Sequence, residues 1–137
     1  LCFGRTASGE TFEQGNVQQS LMIRKEGKPL WLEQGALAGG SRQMRSPLGL
    51  GGYTVCASLI AVGGASSVTL LSAVREHCAA VDDGRGQFGA TQMKSVIIVR
   101  YLGHNSEVAR SIMLAAWKIL RPALLDRAAV IPRIWNT

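Results

Sequence analysis

His77 and Cys78 stand side by side, offering an imidazole and a thiolate that both suit soft or borderline metals, while His104, next to a helix cap, reads as a turn residue rather than a catalytic base. Spacing argues against a metal centre. Adjacent residues on a helix point about 100° apart, and Cys78 continues the apolar series Leu71, Val74, Cys78, Val81, so it reads as a small core hydrophobe. Neither histidine comes with a recognisable nucleophile motif, and no Ser/His/Asp or Cys/His set emerges. The chain reads as a non-enzyme. Gly49-Leu50-Gly51-Gly52 invites comparison with a phosphate loop. No Gly-Lys-Ser/Thr follows any glycine, however, and Tyr53 to Val62 is rich in strand formers where a nucleotide-binding motif would open a helix. A plain turn is the better reading.

A different chemistry is spaced along the last third of the chain. Arg110, Leu114, Trp117 and Arg121 follow one another at intervals of three or four residues, which places them on one stripe of a helix. A leucine beside a tryptophan, flanked by two arginines, has the composition of a protein-interface anchor for an acidic partner. Cover of Trp117 by a neighbouring loop or by the C-terminal tail is the competing reading.

The elements that position these residues follow from periodicity. Val96-Ile97-Ile98-Val99 is apolar at successive positions, as in a strand covered on both faces, and Gly103 ends it. Asn105 can cap a helix and Glu107 sits in its first turn, where negative charge is favoured. Val108, Ala109, Ile112, Met113, Ala115, Ala116, Ile119 and Leu120 form a broad apolar arc, so a core-packed helix is predicted over about 106–120, stopping near Leu120 or restarting at Pro122. Pro132 imposes an extended stretch, after which Trp135 is expected to pin the tail to the body. Upstream, Ser66 or Ser67 caps a second helix over about 68–81, which Asp82-Asp83-Gly84 ends. Gly63-Gly64 breaks the strand before it. Val17–Arg24 and Pro29–Glu33, joined by Lys25-Glu26-Gly27-Lys28, read as a hairpin, and Gly35–Gly52 reads as mostly loop.

Composition bounds the rest. With 137 residues, 47% of them hydrophobic, one globular domain is expected, of mean hydropathy +0.13. No apolar run approaches the roughly 20 residues that cross a bilayer, and no leader opens the chain, so a cytosolic protein without membrane contact is expected. Three cysteines, Cys2, Cys56 and Cys78, suit a reducing compartment and lack the paired spacing of a zinc site. The net charge of +6 is unevenly held. Seven basic and seven acidic groups cancel over residues 1–83, whereas 84–137 carry eight basic groups against Glu107 and Asp126. Such a basic half suits nucleic acid, an anionic membrane or an acidic protein partner, and the single spacing of these cations, without clusters or interleaved aromatics, argues against nucleic acid.

Several stretches together resemble one known family: Phe3-Gly4-Arg5 with Ser8-Gly9-Glu10-Thr11-Phe12, Pro29-Leu30-Trp31-Leu32-Glu33, Val99-Arg100-Tyr101-Leu102, and Leu120-Arg121-Pro122 through Pro132-Arg133-Ile134-Trp135-Asn136-Thr137. In order and spacing the chain resembles the C-terminal half of the UreD (UreH) family of urease accessory proteins. The resemblance implies an α+β, β-rich fold of helically wound sheet layers carrying the two helices. It implies a non-catalytic scaffold that binds apo-urease and the UreF–UreG complex, the latter's UreG through UreF, and helps deliver nickel to the urease active site. The metal is then transient cargo, with no cofactor tightly bound. It also places Glu33 among the acidic residues of a nickel route; from the sequence alone Glu33 is a surface glutamate at a strand end. The alternative is a generic cytosolic protein-interaction module with no role in metal handling.

Overall fold

The computed structural model describes residues 1–5, 8–63 and 67–136. It divides into two compact units, Phe3–Thr54 on one hand and Leu1–Cys2 with Val55–Thr137 on the other. Among the described residues the architecture is α+β, with two antiparallel sheets, three α-helices and a 3₁₀ turn.

The first unit is built on a hairpin of strands β1 (Asn16–Lys25) and β2 (Lys28–Ala38). Glu26 and Gly27 both take positive φ, 52° and 78°, as a two-residue type I′ turn requires, and this fixes Lys25 opposite Lys28. The register slips once between Ile23 and Arg24, opposite Pro29, which has no N–H to give the ladder. Val17, Leu21, Ile23, Trp31, Glu33 and Leu37 share the half-buried face; Met22 and Leu32 pair on the other, 48% and 54% exposed. The stretch that reads from sequence as loop is partly strand: Gly35–Ala38 pair with Asn16–Gln19, and cross-strand pairing overrides the weak strand preference of Gly35 and the alanines. A short helix α1 (Arg42–Arg45) follows.

Phe3–Arg5 and Glu10–Phe12 clasp one another. Phe3 meets Phe12 with centroids 5.6 Å apart, and Arg5 grips the Glu10 carboxylate through two hydrogen bonds of 2.8 and 2.6 Å. Gly4, at φ 82°, is required there, since a Cβ would lie 2.6 Å from the Glu10 carbonyl oxygen.

The second unit is a three-stranded sheet in the order β3 (Val55–Val62), β5 (Val96–Gly103), β4 (Gln87–Met93). The central strand carries the expected apolar run, and Val96, Ile97, Ile98 and Val99 are all buried. Helices α2 (Val68–Ala79) and α3 (Ser106–Leu125) pack on each other and on the sheet. Val74 and Cys78 from α2, Ile97, Val99 and Tyr101 from β5, and Ala109, Ile112, Ala116 and Leu120 from α3 form one core. Arg75 donates from Nε and Nη2 to the Ala90 carbonyl at 3.1 and 2.8 Å, tying α2 to the outer strand β4.

Both helices start as their caps dictate. Ser67 Oγ accepts the Leu70 amide at 3.1 Å, while Ser66 and Gly64 lie outside the described residues. Asn105 Oδ1 accepts the Glu107 and Val108 amides at 2.9 and 3.3 Å. The ends differ from the sequence expectation. Helix α2 stops at Ala79, two residues short, and α3 runs through Pro122 to Leu125 instead of ending near Leu120. Proline has a helical φ and forfeits only its bond to the carbonyl of Lys118, a residue on the exposed side. Its cost of about 3 kcal/mol is offset in part by the packing of Leu124, partly buried against the core, since even a fully buried leucine contributes only about 1.5–3 kcal/mol. Asp126, left-handed at φ 50°, ends the helix by donating its amide to the Pro122 carbonyl at 3.0 Å.

Candidate partner-docking site

The stripe Arg110, Leu114, Trp117, Arg121 flanks the core-facing arc of α3, and the helix holds its members together. Arg110, Leu114 and Trp117 line a groove of about 370 Å³, with Met113 from the same helix and Leu59 from β3. Its other wall is the tail, where a 3₁₀ turn (Arg133–Asn136) presents Ile134 and Trp135. Trp135 meets Trp117 edge to face, with centroids 5.1 Å apart. The Arg121 guanidinium lies 5.3 Å from the Trp117 ring centre, in cation–π range, and its Nε donates to the Ala128 carbonyl at 3.1 Å. Trp117 and Arg121 also line a second groove of about 250 Å³ with Leu120, Leu124 and β3.

Leu114 is half-buried where the interface reading expects an exposed leucine, and the tail covers part of Trp117, as the competing reading expects. Trp135 itself is 41% exposed and Ile134 75%, so the wall they make is apolar and open to solvent. Arg110, at the rim, approaches Glu107 only to 3.9 Å. From the sequence Met113 reads as part of the core arc and Trp135 as a tail anchor, whereas Leu59 and Ile134 carry no signal of the groove they line. Leu59 sits in the apolar run Leu59-Ile60-Ala61-Val62, where nothing local says which residue meets α3.

Glu33 belongs to the other unit. It is half-buried on β2, opposite Leu21 and on the same face as Trp31. Among the described residues, no three His, Cys, Asp or Glu side chains gather to hold a metal ion.

The remaining candidates resolve structurally. Cys78 is fully buried in the core, and burial pushes its thiol from 9.0 up to about 11, against a smaller downward pull from a hydrogen bond with the Ala116 backbone. His77 is exposed, and its Nδ1–H donates to the Ala73 carbonyl at 2.9 Å. His104 is exposed beside the start of α3. The glycine loop has its amides occupied: Leu50 donates to Gln43 O at 2.9 Å, Gly51 to Ser46 O at 2.9 Å and Gly52 to Met44 O at 2.7 Å. Those N–H groups are turned into their own loop rather than toward a phosphate. Among the described residues no helix is long and apolar enough to cross a membrane.

Comparison with known proteins agrees with the sequence resemblance. A family model described as UreD urease accessory protein matches residues 1–136. The chain is 59% identical over its whole length to the urease accessory protein UreD of Janthinobacterium sp. (strain Marseille), covering 46% of that protein. It is 46% identical to the UreD of Nitrosospira multiformis and 41% identical to that of Nitrosococcus oceani, again along its whole length, covering 49% and 45% of them. It therefore spans about half the length of the curated relatives it matches, over what is their C-terminal portion. A match that runs through the Phe3–Phe12 clasp, the hairpin, the α3 groove and the tail leaves one assignment: the chain belongs to the UreD family of urease accessory proteins.

Proposed function

We propose that this chain serves urease maturation, as part of a non-catalytic scaffold in the cytoplasm that binds apo-urease and the UreF–UreG complex and helps pass nickel to the urease active site. The observation that carries this reading is the family match from end to end of the chain, with relatives that bear the name urease accessory protein. The α3 groove supplies a surface with the composition of a protein-binding anchor.

Glu33 is the residue we assign to the nickel route. A single carboxylate holds a divalent first-row ion weakly, and weak holding suits a conduit that must both attract and release its cargo. Its half-buried place beside Trp31 and Leu21 takes it away from the fully solvated side of the hairpin, where a glutamate would serve only solubility.

The test is urease activation in cells that lack the native gene, with the sequence supplied in its full-length protein. Restored urease activity with nickel in the matured enzyme is expected; stable expression without activation would overturn the reading. Glu33→Ala should leave UreF and urease binding intact and lower the nickel found per urease site, and Glu33→Asp should retain part of it. Normal nickel content with Glu33→Ala removes this residue from the route. Partner binding without any effect on nickel anywhere in the chain would favour an interaction module with no metal role.

A further inference from the structure

We infer that the α3 groove takes an acidic amphipathic segment of a protein partner, one bulky apolar side chain entering between α3 and the tail, with Trp135 as a permanent wall of the site. This rests on the reading of that groove as a protein-docking surface and adds the chemistry of what docks there.

The apolar part of the argument is the lining. Leu59, Met113 and Leu114 form an aliphatic and thioether floor, and the two indoles stand at one side. Such a lining favours an aliphatic or aromatic side chain, and the methionine can adapt to its shape. Ile134 remains 75% exposed and Trp135 41% although the tail is seated, so a second apolar surface would gain by covering them.

The charge part is the rim. Helix α3 carries Arg110, Lys118 and Arg121 against Glu107 alone, and Arg133 precedes Ile134 in the tail turn. Of the cations, Arg121 is already committed to Trp117 and Ala128, where it stiffens the indole. Arg110 is half-exposed, and its 3.9 Å approach to Glu107 is too long to compete with a well-placed carboxylate. Carboxylates flanking the apolar side chain would therefore meet Arg110 in the lining, with Arg133, next to the lining residue Ile134, adding positive charge from the tail turn. A polyanion without an apolar anchor, such as nucleic acid, leaves the floor unused.

The tail could act as a wall or as a plug, and the geometry favours a wall. The groove of about 370 Å³ persists with Trp135 in place, and that indole is already engaged edge to face with Trp117. A segment entering beside Trp135 gains its exposed face without breaking that contact.

The test uses the full-length protein and two fluorescein-labelled amphipathic peptides of glutamate and leucine with one central phenylalanine, the second having lysine for every glutamate. Fluorescence anisotropy should show binding of the glutamate peptide, weakened by salt, and at least tenfold weaker binding of the lysine peptide. Trp135→Ala and Leu114→Ser should each lower the affinity by about tenfold, the scale of an interface anchor. Arg110→Glu with Arg133→Glu, both surface changes that leave the core intact, should reverse the preference between the peptides. Equal binding of the two peptides, tighter binding by Trp135→Ala, or binding to phosphatidylglycerol vesicles in place of the glutamate peptide would overturn the inference. Peptide binding needs no urease, so its loss with normal urease activation refutes this inference alone, and the converse result refutes only the maturation role.

Discussion

Trp117 on α3 and Trp135 in the tail turn meet edge to face at 5.1 Å, joining the C-terminus of the chain to the middle of its longest helix. Such a pair contributes about 0.5–1.5 kcal/mol beyond the area it buries. Trp135→Ala, or removal of Ile134–Thr137, is accordingly expected to lower the melting temperature by several degrees, at roughly 4–8 °C per kcal/mol for a unit of this size. Differential scanning calorimetry with near-ultraviolet circular dichroism checks it. A melting curve that does not move would mean that the tail swings free.

Tyr101 is held between two glycines. A Cβ on Gly86 would stand 2.8 Å from its ring, and one on Gly103 would collide with its hydroxyl. Overpacking of a closed core costs about 1–3 kcal/mol. Gly103→Ala and Gly86→Ala should therefore destabilise by that amount, whereas Gly89→Ala, with nothing within 4 Å of the new methyl, should be neutral. Urea denaturation midpoints for the three variants decide it, and equal midpoints would remove the steric account.

Asn105 satisfies two amides that the first turn of α3 would otherwise leave open. Asn105→Ala should cost about 0.5–2 kcal/mol, and Asn105→Asp should be tolerated because the carboxylate accepts the same bonds and favours the positive helix end. Loss of stability in both variants alike would point to some role of the side chain other than capping.

Cys78 gives the chain a pH signature. Its folded-state thiol titrates near 11 and an unfolded cysteine near 9.0, so between those values the unfolded chain releases a proton that the folded chain keeps. Stability is then full below about pH 9 and declines as pH rises toward 11. Cys78→Ala should lower overall stability yet flatten this alkaline decline. In parallel, iodoacetamide should label exposed Cys2 readily and Cys78 only on unfolding. Rapid labelling of Cys78 in the native chain would contradict its place in the core.

Much of this architecture is legible from local patterns. The run Val96–Val99, the caps Ser67 and Asn105, the core role of Cys78 and the α3 stripe each follow from neighbours within a turn or two. What escapes is decided at a distance. Strand β2 reaches Ala38 because β1 lies beside it, α3 passes through Pro122 because Leu124 has a core to pack on, and the groove exists because Leu59 and Trp135 arrive from opposite ends of the second unit's sequence. Helical spacing showed Arg110, Leu114, Trp117 and Arg121 sharing a stripe; it held no information on the wall they face. Glu33 is the reverse case, visible as a strand-end carboxylate but given a role only by family resemblance.

The Glu26-Gly27 turn also bears on the order in which the chain assembles. It and the Lys94-Ser95 connection each close a strand pair over two residues, and hairpins of that kind form within about 1–10 μs. Strand β3, by contrast, reaches β5 only after a loop containing all of α2 and β4 has closed, at a greater cost in chain entropy. Docking of β3, with Leu59 on it, is thus expected after the two hairpins have closed, and the α3 groove, which Leu59 helps line, is incomplete until then.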